Sequence, residues 1–541
     1  MGTIKIPRRA FIQGVAAAGA VSWTSLRAFG GGDWNANNAL ERAMERAAKC
    51  CLAWLNPAEH YLPVGGYEPA HDTGRWWDAM LRYEAETGVR IPDPMESAMM
   101  ENLHALTDNP AALLASDLCN PHNLRESLLA YTALVEHRQS DWARQQGRTL
   151  VDTILSLLGT DGQLDYEQLA VRVGKPLTAD PLMIHRASVG QWFNATAATG
   201  RALEALVWFH AATGDTAALD LARRLAAVHL RQTVDPAGKV RAELLDPHHV
   251  GHNHSYLGTL RGLVLYALAS GEQQYVDAVA LTYRRGLWGT TVSHSGWTPH
   301  DQGKTRFPDG AGDPVGEHAS CGDVAQIALW LALRHGHTEL LDDVERLVRA
   351  RLLPSQIVDA NDPRRDGAWG VYADGFDRGS ILDVIAAVLH SLIDIHHAVV
   401  TQEADDSVSV NLHFDVDTPF VTVQSQRDAS ATLAITPKQR FPLRIRVPAW
   451  AARDSVQVQL AGQSLPWRWD GSFAFIAQER ITPNTTITLQ HDLPQRETVE
   501  ELPVSHRRFR LHWRGDDVIA CEPRVPIYAE EKNSQGKGDG T

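Results

Sequence analysis

Through roughly residues 35–400, apolar residues recur at i, i+3, i+4 and i+7, the spacing of amphipathic helices. Three helical hairpins are legible from their turns. Leu203, Leu206, Val207 and His210 lead into Thr213-Gly214-Asp215, then Leu219, Ala222 and Leu225. Leu257, Leu260, Val264 and Leu268 lead into Gly271-Glu272, then Val276, Val279 and Tyr283. Val324, Ile327, Ala328 and Leu331 lead into Gly336, then Leu340, Val344 and Leu347. Each glycine stands where a helix C-cap is wanted. An earlier hairpin, Leu128–Leu134 then Leu150–Leu158, turns over the polar stretch His137–Asp141.

Hairpins repeated with long loops between them suggest a solenoid or a closed α/α toroid, and the long loops favour the toroid, because they gather at one rim and build a cleft there. The loops are Gly159–Ala187, Val234–His254, Thr290–Ser320 and Ser355–Gly379. Past Asp405 the period changes to two, with apolar alternation over Val408–Leu412, Phe420–Gln424, Ala431–Ile435, Leu443–Val447, Val456–Leu460, Phe473–Ile476 and Thr486–Leu489. Short strands at close intervals predict a C-terminal antiparallel β-sandwich. The expected fold class is therefore mainly α, then all-β. Residues 33–402 form the toroid and catalytic domain, 403–530 the sandwich, and 531–541 a polar tail unable to bury a core.

Composition narrows the partners. The 541 residues carry 65 acids against 51 bases, a net charge of −14, which argues against a nucleic-acid surface. No stretch is long and apolar enough for a membrane span. Residues 1–32 read as a signal: Lys5, Arg8 and Arg9 precede a short apolar run, Val15–Val21, and Arg8-Arg9-Ala10-Phe11-Ile12-Gln13 resembles a twin-arginine export motif. That predicts use of the export machinery and a bacterial periplasmic location. The five cysteines (Cys50, Cys51, Cys119, Cys321 and Cys521) form no CxxC and no Cys/His quartet, so a thiolate zinc site has no support and no cofactor is expected.

Five segments could carry chemistry. His71, Asp72, Arg75, Trp76 and Trp77 make a plausible sugar-binding lip of carboxylate, cation and indole planes; equally, Asp72 caps a helix and Trp76 is buried. His122 and Glu126 open a helix, where Asn123 and Glu126 also have capping-box spacing. His252 and His254 alternate in a run of four histidines that suits sugar hydroxyls, proton transfer or a non-thiolate metal. Trp192 joins the candidate sugar contacts. Glu317 and Asp323 enter a helix from the longest loop, and Asp377 precedes another. Two carboxylates brought to one rim by different hairpins are what glycoside hydrolysis requires.

Four stretches resemble the β-L-arabinofuranosidase-like group, glycoside hydrolase family 127 and its relatives. They are the Glu317 segment running into IALWLALRHG, DDVERLVRARLL (342–353), DSVSVNLHF (406–414) and FPLRIRVPAW (441–450). The resemblance implies an (α/α)6 toroid with a β-sandwich, and sugar chemistry. It also implies a zinc held by a glutamate and three cysteines, one of them the nucleophile. Glu317 matches the glutamate, but Ala319 stands at one cysteine position and Phe376-Asp377 near the other two. The expectation is thus an exported glycoside hydrolase cleaving a plant or microbial oligosaccharide with carboxylates. Glu317 is the first choice for acid or base, Asp377 stands at the nucleophile position, and Asp323 is the reserve. A polysaccharide lyase acting on a uronate-containing glycan and a non-catalytic carbohydrate-binding protein are the alternatives.

Overall fold

The computed structural model describes residues 38–64, 69–107, 121–156, 158–159, 200–242, 252–300, 313–358, 361–372 and 376–528, with backbone alone at 69–70 and 121–124. Its helical part runs as hairpins: α1 (Ala39–Ala53), α2 (Pro69–Thr87), α3 (Asp93–Thr107), α4 (Pro121–Arg138), α5 (Asp141–Leu155), α6 (Ala202–Thr213), α7 (Thr216–Gln232), α8 (Asn253–Ser270), α9 (Gln273–Thr282), α10 (His318–His335), α11 (Leu341–Leu347) and α12 (Leu382–His397). The even-numbered helices close a ring. α2 packs on α4, α4 on α6, α6 on α8, α8 on α10, α10 on α12, and α12 returns to α2. The odd-numbered helices form an outer layer, α1 and α3 to α11 each against an inner neighbour. This is the (α/α)6 toroid.

Local signals explain the hairpins. Asp215 accepts hydrogen bonds from the Ala217 and Ala218 amides at 2.9 and 3.1 Å, capping α7, and Ser140 accepts from Ala143 N at 3.2 Å, capping α5. Gly214, Gly271 and Gly336 end α6, α8 and α10 with φ near 77°, the left-handed caps that the turns predict. One expectation changes. The inner arms are not amphipathic: α8 is buried without a break from Asn253 to Ala267, and α10 from His318 to Leu329. An inner helix has the outer layer on one side and the ring's contents on the other, so no face reaches water. Polar side chains on these helices must therefore find partners inside the ring.

The β part has two facing sheets and a third, separate one. The first orders Arg468–Asp470, Phe473–Ile476, Leu443–Arg446, Val408–Val410 and Val400–Gln402; the second orders Gln463–Ser464, Gln457–Leu460, Ile487–Asp492, Ser430–Pro437, Val421–Arg427 and Val416–Asp417. Ala431, Leu433 and Ile435 point inward at every second position. Pairing is antiparallel except that Leu443–Arg446 lies parallel to Val408–Val410, because the chain visits the second sheet between them. The third sheet, Gln495–Glu501, Arg508–Arg514 and Asp517–Glu522, turns back onto the toroid. Its Phe509, Leu511 and Trp513 share a small core with Ala350, Phe376 and Tyr528.

Charge also joins the two parts. Arg446, fully buried on its strand, reaches Asp342 and Glu345 of α11, and Glu345 additionally accepts from Arg349 Nε at 2.8 Å and from His413 N at 3.1 Å. No helix among the described residues is long and apolar enough to cross a membrane.

Candidate active site

Because inner and outer helices alternate, the six inner helices point the same way, and their first two turns meet at one end of the ring. Those turns carry His71 and Arg75 (α2), Arg125 and Glu126 (α4), Glu204 (α6, just after Arg201), His254 (α8), Asp323 (α10) and Asp383 (α12). All are buried. Six helix N-termini there make a field that favours carboxylate anions.

The side chains form one connected network. Glu126 Oε1 accepts from Arg125 Nη1 at 2.7 Å, Arg75 Nε at 3.1 Å and Arg201 Nη2 at 3.5 Å. Burial pushes the Glu126 carboxyl up, and Arg125, then Arg75, outweigh it and hold the group well below the usual carboxylate range. Arg261 donates to Asp323 Oδ1 at 2.5 Å and lies 2.8 Å from Glu204 Oε2, while His254 Nδ1 meets Asp323 Oδ2. Burial leaves Asp323 above its ordinary value despite Arg261.

At the open side of this network lie Glu317, His252 and His300. Glu317 Oε2 is 3.4 Å from His252 Nε2 and accepts from Ser320 Oγ at 3.1 Å. Burial raises the Glu317 carboxyl, but the His252 contact and the neighbouring imidazoles outweigh it, so the group lies well below the ordinary range. An ionised carboxylate of this kind is a base, nucleophile or ligand; it does not donate a proton at neutral pH. His252 Nδ1 is 2.8 Å from Ser255 Oγ, and the His252 and His300 rings lie 4.5 Å apart. Across the mouth, Asp383 Oδ2 is 3.4 Å from His71 Nε2, and its Oδ1 has no hydrogen-bond partner among the described residues. Burial pushes Asp383 up; His71 and then Arg75 bring it below its ordinary value, with the charge of Glu317 opposing.

The ring gathers most of the residues expected from sequence but changes their roles. Trp76 and Trp77 are fully buried core residues, edge to face at 5.1 Å, and offer no ring to a sugar. Adjacent positions on an inner helix have no solvent to face, so the burial reading of this segment is the correct one. Asp72 is likewise buried in the first turn of α2. Arg75, Glu126, His254 and Asp323 hold one another, Asp323 through both oxygens, His254 through both nitrogens and Glu126 through Oε1, its Oε2 having no hydrogen-bond partner among the described residues, and they serve as positioning residues. Asp377 accepts from the Arg378 amide at 2.8 Å, beside Phe376 under the third sheet, and no described contact links it to Glu317. The His122 side chain, Trp192 and the signal segment lie outside the described residues. Asp383 and His300 were not singled out from sequence. Asp383 opens the last inner helix, and no local signal in the sequence sets it apart from an ordinary helix start.

The cysteine-ligated zinc centre that the resemblance implies is not assembled by the described residues, and Cys119 lies outside them. Ala319 offers no donor, and Phe376 is packed against Phe509. Cys321 is buried with its thiol pushed up to about 12 by desolvation, its Sγ set against Gly296 and not against Glu317. Cys50, Cys51 and Cys521 are free and buried elsewhere in the fold.

The chain matches no family model and no curated protein. Solved structures do match it. A GH127 β-L-arabinofuranosidase from Geobacillus stearothermophilus T6 aligns at 14% identity and a TM-score of 0.55, over 88% of this chain and 80% of that one. A second GH127 β-arabinofuranosidase aligns at 13% identity and a TM-score of 0.57, over 95% and 84%. A structure described as a glycoside hydrolase aligns at 13% and 0.55, over 83% and 77%. The fold is thus GH127-like, toroid and β domain together.

Proposed function

We propose that this chain is a glycosidase acting on an oligosaccharide at the mouth of the toroid, with Asp383 and Glu317 as its carboxylate pair. The observation that carries the reading is their delivery by successive inner helices to one rim, with Asp383 Oδ1 left without a hydrogen-bond partner among the described residues. A glycosidic bond breaks through a transition state with positive charge on the sugar ring, and two ionised carboxylates in electrostatic reach stabilise it. Asp383 then acts as the base or nucleophile, oriented by His71; the leaving sugar oxygen takes its proton from water at the rim, and an aryl leaving group needs none. The Arg8-Arg9 segment supports export to the periplasm, checked by cell fractionation of the tagged chain.

The test uses purified protein and a panel of aryl glycosides and plant oligosaccharides, reading released sugar and ultraviolet absorbance together. Asp383→Asn should lower turnover by ~10²–10⁴-fold with an unchanged melting temperature. Asp377→Asn should stay within about twofold, the ~0.5 kcal/mol scale of an uninvolved position. Wild-type turnover in Asp383→Asn sinks the assignment, and an ultraviolet-absorbing product makes the protein a lyase.

A further inference from the structure

Three nitrogen and oxygen donors stand together where the thiolate centre fails. One ligand atom each from His252, His300 and Glu317 lies within 4.8 Å of the others. We propose that these residues bind one divalent transition-metal ion, with Zn²⁺ as the reference cation, through two imidazoles and a carboxylate.

The geometry suits a metal better than a hydrogen-bonded pair. His252 Nε2 and Glu317 Oε2 are 3.4 Å apart. That is long for a charge-assisted hydrogen bond. It equals the edge of a tetrahedron with ~2.0–2.1 Å metal–ligand bonds, which is roughly 3.4 Å. Two imidazoles with one carboxylate are a borderline donor set, suited to zinc and its first-row neighbours and poorly suited to Ca²⁺ or Mg²⁺. Three protein ligands also leave a coordination position open.

The surroundings hold the donors in place. His252 Nδ1 faces Ser255 Oγ at 2.8 Å, a hydroxyl able to accept the Nδ1 proton when Nε2 turns its lone pair to a metal. His300 is pinned by its backbone at both ends of the site. Its N–H donates to Val315 O at 2.7 Å, two residues before Glu317, and its carbonyl accepts from Asn253 N at 2.7 Å, the residue after His252. Glu317 is tied to the same loop, its amide donating to Thr298 O at 3.0 Å. The three ligands thus come from three segments locked together by main-chain bonds. The two histidines are half-buried and Glu317 is buried, a graded access that lets an ion in while shielding the anion.

The test needs no substrate, so its failure is distinguishable from failure of the glycosidase reading, with which it shares Glu317. The full chain is stripped with a strong chelator, dialysed, and titrated with Zn²⁺ by calorimetry, with metal content and melting temperature measured in parallel. One ion per chain with micromolar or tighter affinity and a raised melting temperature is expected. Co²⁺ should give the visible absorption of a four- or five-coordinate site. His300→Ala, whose backbone bonds persist, and Glu317→Gln should each weaken binding at least tenfold, whereas Asp383→Asn should bind normally. Absence of stoichiometric uptake overturns the proposal. So does unchanged affinity in both ligand variants with circular dichroism intact.

Discussion

His254 Nε2 lies 2.8 Å from Arg75 Nη2. A guanidinium has only donors, so the imidazole must present a lone pair at Nε2 and carry its proton on Nδ1, where it points at Asp323. Arg75, His254, Asp323 and Arg261 therefore form a relay of fixed polarity across the ring, cation to neutral imidazole to carboxylate to cation. Burial, with Arg201 and Arg75 close by, holds His254 well below the ordinary histidine range, in agreement with that polarity.

The expected consequence is that His254 stays neutral, as the Nδ1–H tautomer, across pH 5–9. Nitrogen-15 NMR of histidine-labelled protein, assigned with His254→Gln, reads this directly. An imidazolium signal from this ring at pH 6 would refute it.

Gly74 sits within α2 at the point where Arg75 reaches Glu126. A Cβ there would stand 2.4 Å from Glu126 O and 2.6 Å from Glu126 C, which are backbone atoms of α4 with no freedom to yield. Glycine inside a helix costs ~1 kcal/mol relative to alanine. Here the tight approach of α2 to α4 requires it. Gly74→Ala should destabilise the chain by ~1–3 kcal/mol, the range for overpacking, and lower activity by spreading the Arg75–Glu126 contact. Urea unfolding decides the point: a gain in stability would mean that the two helices part easily.

The hairpins and the change to strands were legible because they rest on local periodicity and on glycines that only a C-cap explains. Glu317 was legible because it sits in a distinctive polar run before an apolar helix. Asp383 was not, since Leu382-Asp383-Val384 looks like any helix start, and its meaning comes from ring closure, which sets α12 beside α2 and His71 beneath its carboxylate. His300 was hidden for the same reason, a lone histidine in a long loop. Trp76 and Trp77 misled because their chemistry suits sugars while their position on an inner helix forbids exposure. The segments around 342–353 and 441–450 carried the family resemblance through a different property: Asp342, Glu345 and Arg446 bind the toroid to the sandwich.

That joint can be broken on one side only at a high cost. Arg446 and Glu345 are both fully buried. Arg446→Met should destabilise by ~3–5 kcal/mol, because it strips a partner from a buried carboxylate. Adding Glu345→Gln should recover part of the loss, since the anion that needed compensation is gone. Chemical unfolding of the two variants would test this; a double variant no more stable than Arg446→Met alone would assign the cost to lost packing.

The ring's closing seam has its own pH dependence. His396 near the end of α12 is 2.6 Å from Glu86 Oε1 on α2 and 3.4 Å from Glu41 Oε1 on α1. Burial opposes its charge, but the contacts with Glu41 and Glu86 outweigh burial and raise it to about 9. A histidine whose folded pKa lies above its unfolded value of ~6.5 stabilises fully below that value, and the contribution fades as pH rises through the folded pKa. Stability should therefore decline between about pH 6.5 and 9, by roughly 2–4 kcal/mol from this group alone. His396→Gln should be markedly less stable than the parent at pH 6 and approach it by pH 9.5. Melting temperatures across that range give the answer. A constant gap between parent and variant would show that His396 acts through shape and not through its proton.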